Sequence, residues 1–222
     1  MNVLVTAGPT REPLDAVRFI SNRSSGRMGY AVASAAKKAG HCVRLISGPV
    51  ALPPPKGVRM IRVVTAQDML DAVLASLAWC DVLVMAAAVA DWRPKKPAAR
   101  KLKKQDGPPR VEWEAAPDIL QTIAPLKKPT QVFCGFAAET NDLAREAKRK
   151  LRRKNLDAIA ANDVSKNNQG FDSIWNALTL YRASGEVRVV PRATKEKCAR
   201  QVMQMVEEIF VEKKDKKFRK IY

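Results

Sequence analysis

The chain has 222 residues, 46% hydrophobic and 28% charged, with a formal net charge of +18. That size and mix suit one good-sized core, at most with a small appendage. No run of about 18 apolar residues exists, and Met1-Asn2-Val3-Leu4-Val5 has neither the basic start nor the long apolar stretch of a secretory signal; a membrane span and a signal peptide are excluded, and a cytoplasmic location is expected.

Val3 to Val5 is a short apolar run that stops at Thr6-Ala7-Gly8-Pro9-Thr10, a strand closed by a turn. After a long loop, Met28 to Ala39 predicts an Ala-rich helix with Gly40 as its stop. Cys42 to Ile46 is a second strand, closed by Ser47-Gly48-Pro49, and three consecutive prolines make Ala51 to Gly57 an extended connection. Ile61 to Val64 is another short strand, and Thr65 caps a helix from Ala66 to Trp79. Asp81 to Ala88 is too uniformly apolar for a one-sided strand and fits one buried on both faces. Trp92 to Arg110, rich in Lys and Pro, reads as a surface loop. Pro117-Asp118-Ile119-Leu120 begins a short helix. Gln131 to Phe136 is a core strand, Asn141 to Lys154 a basic amphipathic helix, and Asp157 to Ala161 a further core strand. Asn176 to Tyr181 and Val187 to Val190 flank Ser184-Gly185 as a β-hairpin, and Thr194 to Val211 is the closing helix. Residues 1–211 form one domain; 212–222 form a basic tail with six Lys or Arg against two acids. The tail is either a frayed, solvated end or a source of nonspecific affinity for nucleic acid.

Strands alternating with helices imply a doubly wound α/β fold. The sheet is mostly parallel and Rossmann-like, with helices on both faces and a C-terminal β-hairpin. Such sheets bind ligands at the carboxyl ends of their strands, so the loops after Val5, Met85, Phe136 and Ala161 are the ones to inspect. Cys42, Cys80, Cys134 and Cys198 are scattered without a C-x-x-C pair and read as reduced thiols. With His41 the only histidine, no protein metal site is expected, and His41 is given no catalytic role.

The first loop holds Asn22-Arg23-Ser24-Ser25-Gly26-Arg27-Met28-Gly29 at the opening of a helix. Two hydroxyls and a glycine beside unpaired helix N–H groups suit an anion, or one serine simply caps the helix. Neither G-x-G-x-x-G nor G-x-x-x-x-G-K-[ST] is present. Met85-Ala86-Ala87-Ala88-Val89-Ala90-Asp91 ends a strand in small side chains. These let a flat ring approach the backbone, with Asp91 accepting from ribose or an amine; alternatively they allow close helix packing. Arg100-Lys101-Leu102-Lys103-Lys104 puts lysines on a loop that can reach a triphosphate, or is solvated. Phe136 stacks on a nucleoside or belongs to the core. Lys150 and Lys154 share one helix face, aimed at phosphates or at water.

Gly8-Pro9-Thr10, Ile20-Ser21-Asn22 with Ser24-Ser25-Gly26-x-Met28-Gly29, Ala87-Ala88-Val89-Ala90-Asp91, Lys101-x-Lys103-Lys104, Gly135-Phe136-Ala137-Ala138-Glu139-Thr140, Lys154-Asn155-Leu156-Asp157 and Ala161-Asn162-Asp163-Val164 occur in that order. From about residue 2 to about residue 211 the chain resembles the phosphopantothenate–cysteine ligases. The resemblance implies a ligase domain that activates 4′-phosphopantothenate with CTP and Mg²⁺ as an acyl-cytidylate, then passes the acyl group to L-cysteine; eukaryotic relatives can use ATP. It implies that Asn22 holds the acyl intermediate and that Lys101 is the catalytic loop lysine. Ser24 and Gly26, the strand end Met85-Ala86-Ala87, Asp91, Pro117, Asp118, Ile119, Leu120, Phe136, Lys150 and Lys154 would form the nucleotide site. It also implies a homodimer whose active site uses both subunits. Many bacterial members are fused to a flavin-dependent decarboxylase. Here Met1 falls at the first strand, which leaves two readings, a separately encoded ligase with the decarboxylase as a separate partner or an excised half of such a fusion, and FMN is not implied. The rival reading is an NAD(P)-dependent oxidoreductase on a similar sheet, weakened by the missing glycine fingerprint.

Overall fold

The computed structural model describes residues 1–139, 142–163 and 173–218. Its strands are β1 (Asn2–Ala7), β2 (Arg11–Pro13), β3 (Phe19–Ser21), β4 (Cys42–Ser47), β5 (Arg59–Arg62), β6 (Val82–Met85), β7 (Trp92–Pro94), β8 (Trp113–Ala115), β9 (Val132–Glu139), β10 (Ala158–Asp163), β11 (Trp175–Arg182) and β12 (Val187–Thr194). Its helices are α1 (Arg27–Lys38), α2 (Ala66–Leu77), α3 (Ile119–Ile123), α4 (Leu143–Arg153) and α5 (Lys195–Phe218).

Eight strands form the central sheet in the order β12-β11-β10-β9-β6-β1-β4-β5. The six from β5 to β10 are parallel, while β11 runs antiparallel to both β10 and β12. The chain starts in the middle, at β1, winds outward through β4 and β5, and then returns to build the other half from β6. This is the doubly wound architecture expected from the alternation of apolar runs and helices, and its order reverses between β1 and β6.

Alternation along β1 explains the layers. Val3, Val5 and Ala7 face a core closed by α1 and α5, while Leu4 faces the core under α2, α3 and α4. A strand buried on both faces has no polar side to spare, hence the continuous apolar run. α2 starts where Thr65 indicates: its hydroxyl accepts from Asp68 N at 3.1 Å while the Asp68 carboxylate accepts from Thr65 N at 2.9 Å. α1 lies unusually close to β1. A Cβ on Gly29 would sit 2.5 Å from Ala7 Cβ and 2.8 Å from the Thr6 carbonyl oxygen, so only glycine permits that approach.

Several boundaries differ from the sequence reading. The Asp81–Ala88 run contributes only Val82–Met85 to the sheet, because Thr6, Gly8 and Thr10 capture the following residues. The two long loops carry small ribbons, β2 with β3 and β7 with β8; thus the start of the expected 92–110 surface loop, Trp92–Pro94, is a strand paired with Trp113–Ala115 beyond its end. The edge strand β5 is shifted two residues toward the N-terminus. The helix expected from Asn141 begins at Leu143, and Asn141 itself lies outside the described residues. The closing helix does not stop at Val211. It continues to Phe218 because Glu212 pairs with Arg182 at 2.6 Å and Lys213 with Asp157 at 2.6 Å. Residues 219–222 of the basic tail lie outside the described residues. His41 bonds to Glu207 at 2.8 Å, a structural tie to α5.

Candidate functional site

Three neighbouring cavities lie where the strand order reverses, at the carboxyl ends of β1, β6, β9 and β10. Gly26, at a φ of +76°, is the N-cap of α1 and supplies no side-chain cap. A serine cap is therefore not what Ser24 provides; its hydroxyl accepts from Gly26 N at 3.3 Å. Gly26 thus gives the first N–H groups of α1 no side-chain cap, and such a helix end attracts anions.

Opposite α1, residues 86–91 leave the sheet and are laced to the segment after β1. Ala88 N donates to Gly8 O at 2.9 Å and Thr10 N to Ala88 O at 3.2 Å. The buried hydroxyls of Thr6 and Thr10 accept from Ala87 N at 3.2 Å and Ala90 N at 3.0 Å. Asn22 Nδ2 donates to Ala88 O at 3.0 Å. Since that carbonyl can only accept, the amide of Asn22 is oriented with Oδ1 away from it. The strip is thus held rigidly by hydrogen bonds that no side chain on the strip itself provides.

Asn22, Ser24, Gly26, Ala86, Ala87, Asp91 and Phe136 line a cavity of about 280 Å³. A second cavity of about 330 Å³ shares Ala87, Val89, Asp91 and Phe136 with it and adds Met85, Pro117–Leu120 and Lys154. A third hollow of about 460 Å³ adjoins through Asn22 and Asp91, with Ile20, Trp92 and Trp113 as its apolar lining. Most of the residues named from sequence therefore come together in one connected depression. Two do not. Lys101 lines a separate hollow with Arg18, Lys103 and Lys104, and Lys150 lines none of these cavities.

In the second cavity Asp118 caps α3, accepting from Gln121 N at 3.1 Å, and pairs with Lys154 at 3.0 Å. Burial pushes the Asp118 carboxyl up, but the Lys154 hydrogen bond, the Gln121 N–H and nearby Arg153 together outweigh it, and the group sits below the usual carboxylate range. Lys154 is in this way already aimed into the cavity by a carboxylate.

Sequence reasoning missed Asn162, Asn176 and Lys195, all of which line the first cavity. Asn162 follows Ala161, one of the strand ends singled out for inspection, so a signal for it existed. Its Oδ1 is buried and has no partner among the described residues. An uncompensated acceptor costs about 1–3 kcal/mol, a cost that a donor group on a ligand would relieve. Asn176 and Lys195 come from the hairpin and the start of α5, and nothing local marks them.

Residues 1–210 match the family model of the DNA/pantothenate metabolism flavoprotein C-terminal domain. The coenzyme A biosynthesis bifunctional protein CoaBC of Vibrio vulnificus (strain CMCP6) is 45% identical over 208 residues, which make up 93% of this chain and 52% of that protein. Its counterpart in Escherichia coli (strain K12) is 47% identical over 199 residues, 88% of this chain and 49% of that protein. A crystal structure of the C-terminal domain of a coenzyme A biosynthesis bifunctional protein CoaBC superposes with a TM-score of 0.82 at 42% identity, covering 95% of this chain and 96% of that one. The chain spans about half the length of the bifunctional relatives it matches.

Proposed function

The chain belongs to the family of the DNA/pantothenate metabolism flavoprotein C-terminal domain, and from that premise we propose that it is a phosphopantothenate–cysteine ligase of coenzyme A synthesis, driven by CTP and working as a cytoplasmic homodimer. The observation that carries the reading is the facing of two features across one cavity: the N-terminus of α1, where Gly26 offers no side-chain cap, and the laced strip 86–91. One suits phosphate oxygens and the other suits a planar or amide group read by the backbone.

The nucleoside would occupy the cavity walled by Pro117–Leu120, Phe136 and Lys154, with its phosphates turned toward Ser24 and Gly26. The acid would lie along Asn22 and Asp91. A carboxylate oxygen attacks the α-phosphorus of CTP and pyrophosphate leaves, giving an acyl-cytidylate. The cysteine amine then attacks the acyl carbon, CMP departs with the former carboxylate oxygen, and a proton passes to solvent. Asn22 Oδ1 and its second N–H would hold the intermediate, a role supported by the Nδ2 bond to Ala88 O that fixes the amide's orientation. Mg²⁺ would arrive on the triphosphate, since this ion keeps several waters and needs only one or two carboxylates; Asp91 lines all three hollows and is the carboxylate at hand.

In one protomer Lys101 lies outside the cavity. The homodimer gives it a role, with the loop of one subunit serving the reacting phosphates of the other. A flavin-dependent decarboxylase would act on the product amide. The nicotinamide-dependent alternative gains nothing from the family assignment. A coupled pyrophosphate assay with CTP and ATP in parallel tests the reading. Pyrophosphate should appear only with phosphopantothenate, and the amide only with cysteine. Pyrophosphate release from CTP without the acid, or none with it, would overturn the assignment.

A further inference from the structure

We propose that Asp15 is a positioning residue for the loop that carries Lys101, acting through Arg18 and the main chain of Leu102; this rests on the reading of Lys101 as the lysine that meets the reacting phosphates. The Asp15 side chain is fully buried. Its Oδ1 accepts from Val17 N at 2.8 Å and Arg18 N at 2.7 Å, closing a local turn. Its Oδ2 accepts from Arg18 Nε at 2.9 Å, Arg18 Nη2 at 2.6 Å and, across 87 residues of sequence, Leu102 N at 3.1 Å. Arg18 Nη2 also donates to Leu102 O at 2.8 Å. Both polar groups of the Leu102 backbone are therefore gripped by one ion pair. A second anchor lies just upstream, where Ala98 N donates to Leu14 O at 3.1 Å.

Lys101 sits between these two anchors. Immediately downstream, Gly107 N donates to Lys104 O at 3.2 Å in a local turn. The choice of aspartate follows from donor counting. Five N–H donors converge on this carboxylate, and only an ionised carboxylate offers acceptors on both oxygens. An asparagine keeps one acceptor oxygen and turns an NH₂ group toward either Arg18 or the turn. The Arg18 guanidinium beside Asp15 holds its carboxyl well below the usual range, so the clasp stays charged at any working pH. None of its atoms lines the nucleotide cavity.

Reacting groups misplaced by about 1 Å can lose on the order of 100-fold in rate. Asp15→Asn should therefore lower kcat by roughly ten- to a hundredfold while leaving KM for CTP within about twofold. Ala98→Pro, which deletes the upstream donor and leaves the Asp15 clasp in place, should shift kcat in the same direction and guards against a misfolded Asp15 variant. Amide exchange at Leu102 should quicken in Asp15→Asn. In a double-mutant cycle, Asp15→Asn added to Lys101→Gln should cost nothing further, because the group being positioned is gone. Wild-type kcat in both loop-anchor variants, or losses that multiply fully in the double mutant, overturn the proposal. Wild-type activity in Lys101→Gln alone instead removes Lys101 from the chemistry, a failure of the underlying reading that the cycle tells apart.

Discussion

Replacing Gly29 by alanine puts the contact between α1 and β1 to a quantitative test. The new Cβ would lie 2.5 Å from Ala7 Cβ, 2.8 Å from Thr6 O and 3.0 Å from Ala7 Cα. Carbon atoms rest at about 3.5–4.0 Å, so this turn of the helix must retreat by about 1 Å. Overpacking of that kind costs about 1–3 kcal/mol, offset by up to about 1 kcal/mol from alanine's better helix propensity. For a chain of this size a net loss near 1–2 kcal/mol lowers Tm by roughly 2–8 °C. The retreat also moves the N-terminus of α1, which begins two residues earlier at Arg27, and should lower kcat/KM for CTP by about tenfold or more. Gly40→Ala is the control. Its Cβ meets nothing within 4 Å, and its φ of +84° imposes only backbone strain, about 1–2 kcal/mol. Thermal melts followed by circular dichroism, with pyrophosphate assays on both variants, decide the matter. A Gly29→Ala protein that melts at or above the wild-type temperature with unchanged kcat/KM would refute the reasoning.

Lys154→Gln should raise KM for CTP by about tenfold, the loss of one charged hydrogen bond, as measured by steady-state kinetics. The same substitution alters acid stability. The native Asp118 carboxyl is depressed, so its contribution is fully present above the unfolded value and is lost as pH falls through the native one; acid titrations should show a shallower loss in that window in the variant. Thiol titration should find Cys42 reactive in the native protein. Burial pushes Cys80 and Cys134 up to about 12 and raises Cys198, so those three should react only after denaturant is added. Truncation after Val211 deletes the Glu212–Arg182 and Lys213–Asp157 pairs together with the Lys213 bond to Gln131 O at 2.8 Å. It should cost about 1–3 kcal/mol; an unchanged melting temperature would show that this end is merely solvated.

The doubly wound sheet was legible because its central parallel strands are buried on both faces and so appear as apolar runs, as in Val82 to Met85; the edge strand β5, Arg59–Arg62, is not buried in this way and its bounds were read two residues late. The ribbons were not, since strands of three residues such as Phe19–Ser21 carry no measurable period. Residues Asn22, Ala87, Asp91 and Phe136 could be grouped beforehand because strand ends in such sheets converge. Lys101 could not be placed, because what fixes its loop is contact with Leu14, Asp15 and Arg18, more than eighty residues away. Lys195 escaped for a related reason: it is the first residue of the last helix, and only the return of the chain after the hairpin carries it back to α1.

That return has a bearing on how the molecule is made. Cys198, Ala199, Val202, Met205, Val206 and Ile209 of α5 cover the same side of the sheet as α1. A nascent chain still lacking α5 therefore displays the bare undersides of the central strands and invites association with its neighbours. Synthesis that halts early should yield no weakly active fragment but a sticky, unfinished one, leaving chaperones and proteases to sort complete chains from incomplete ones.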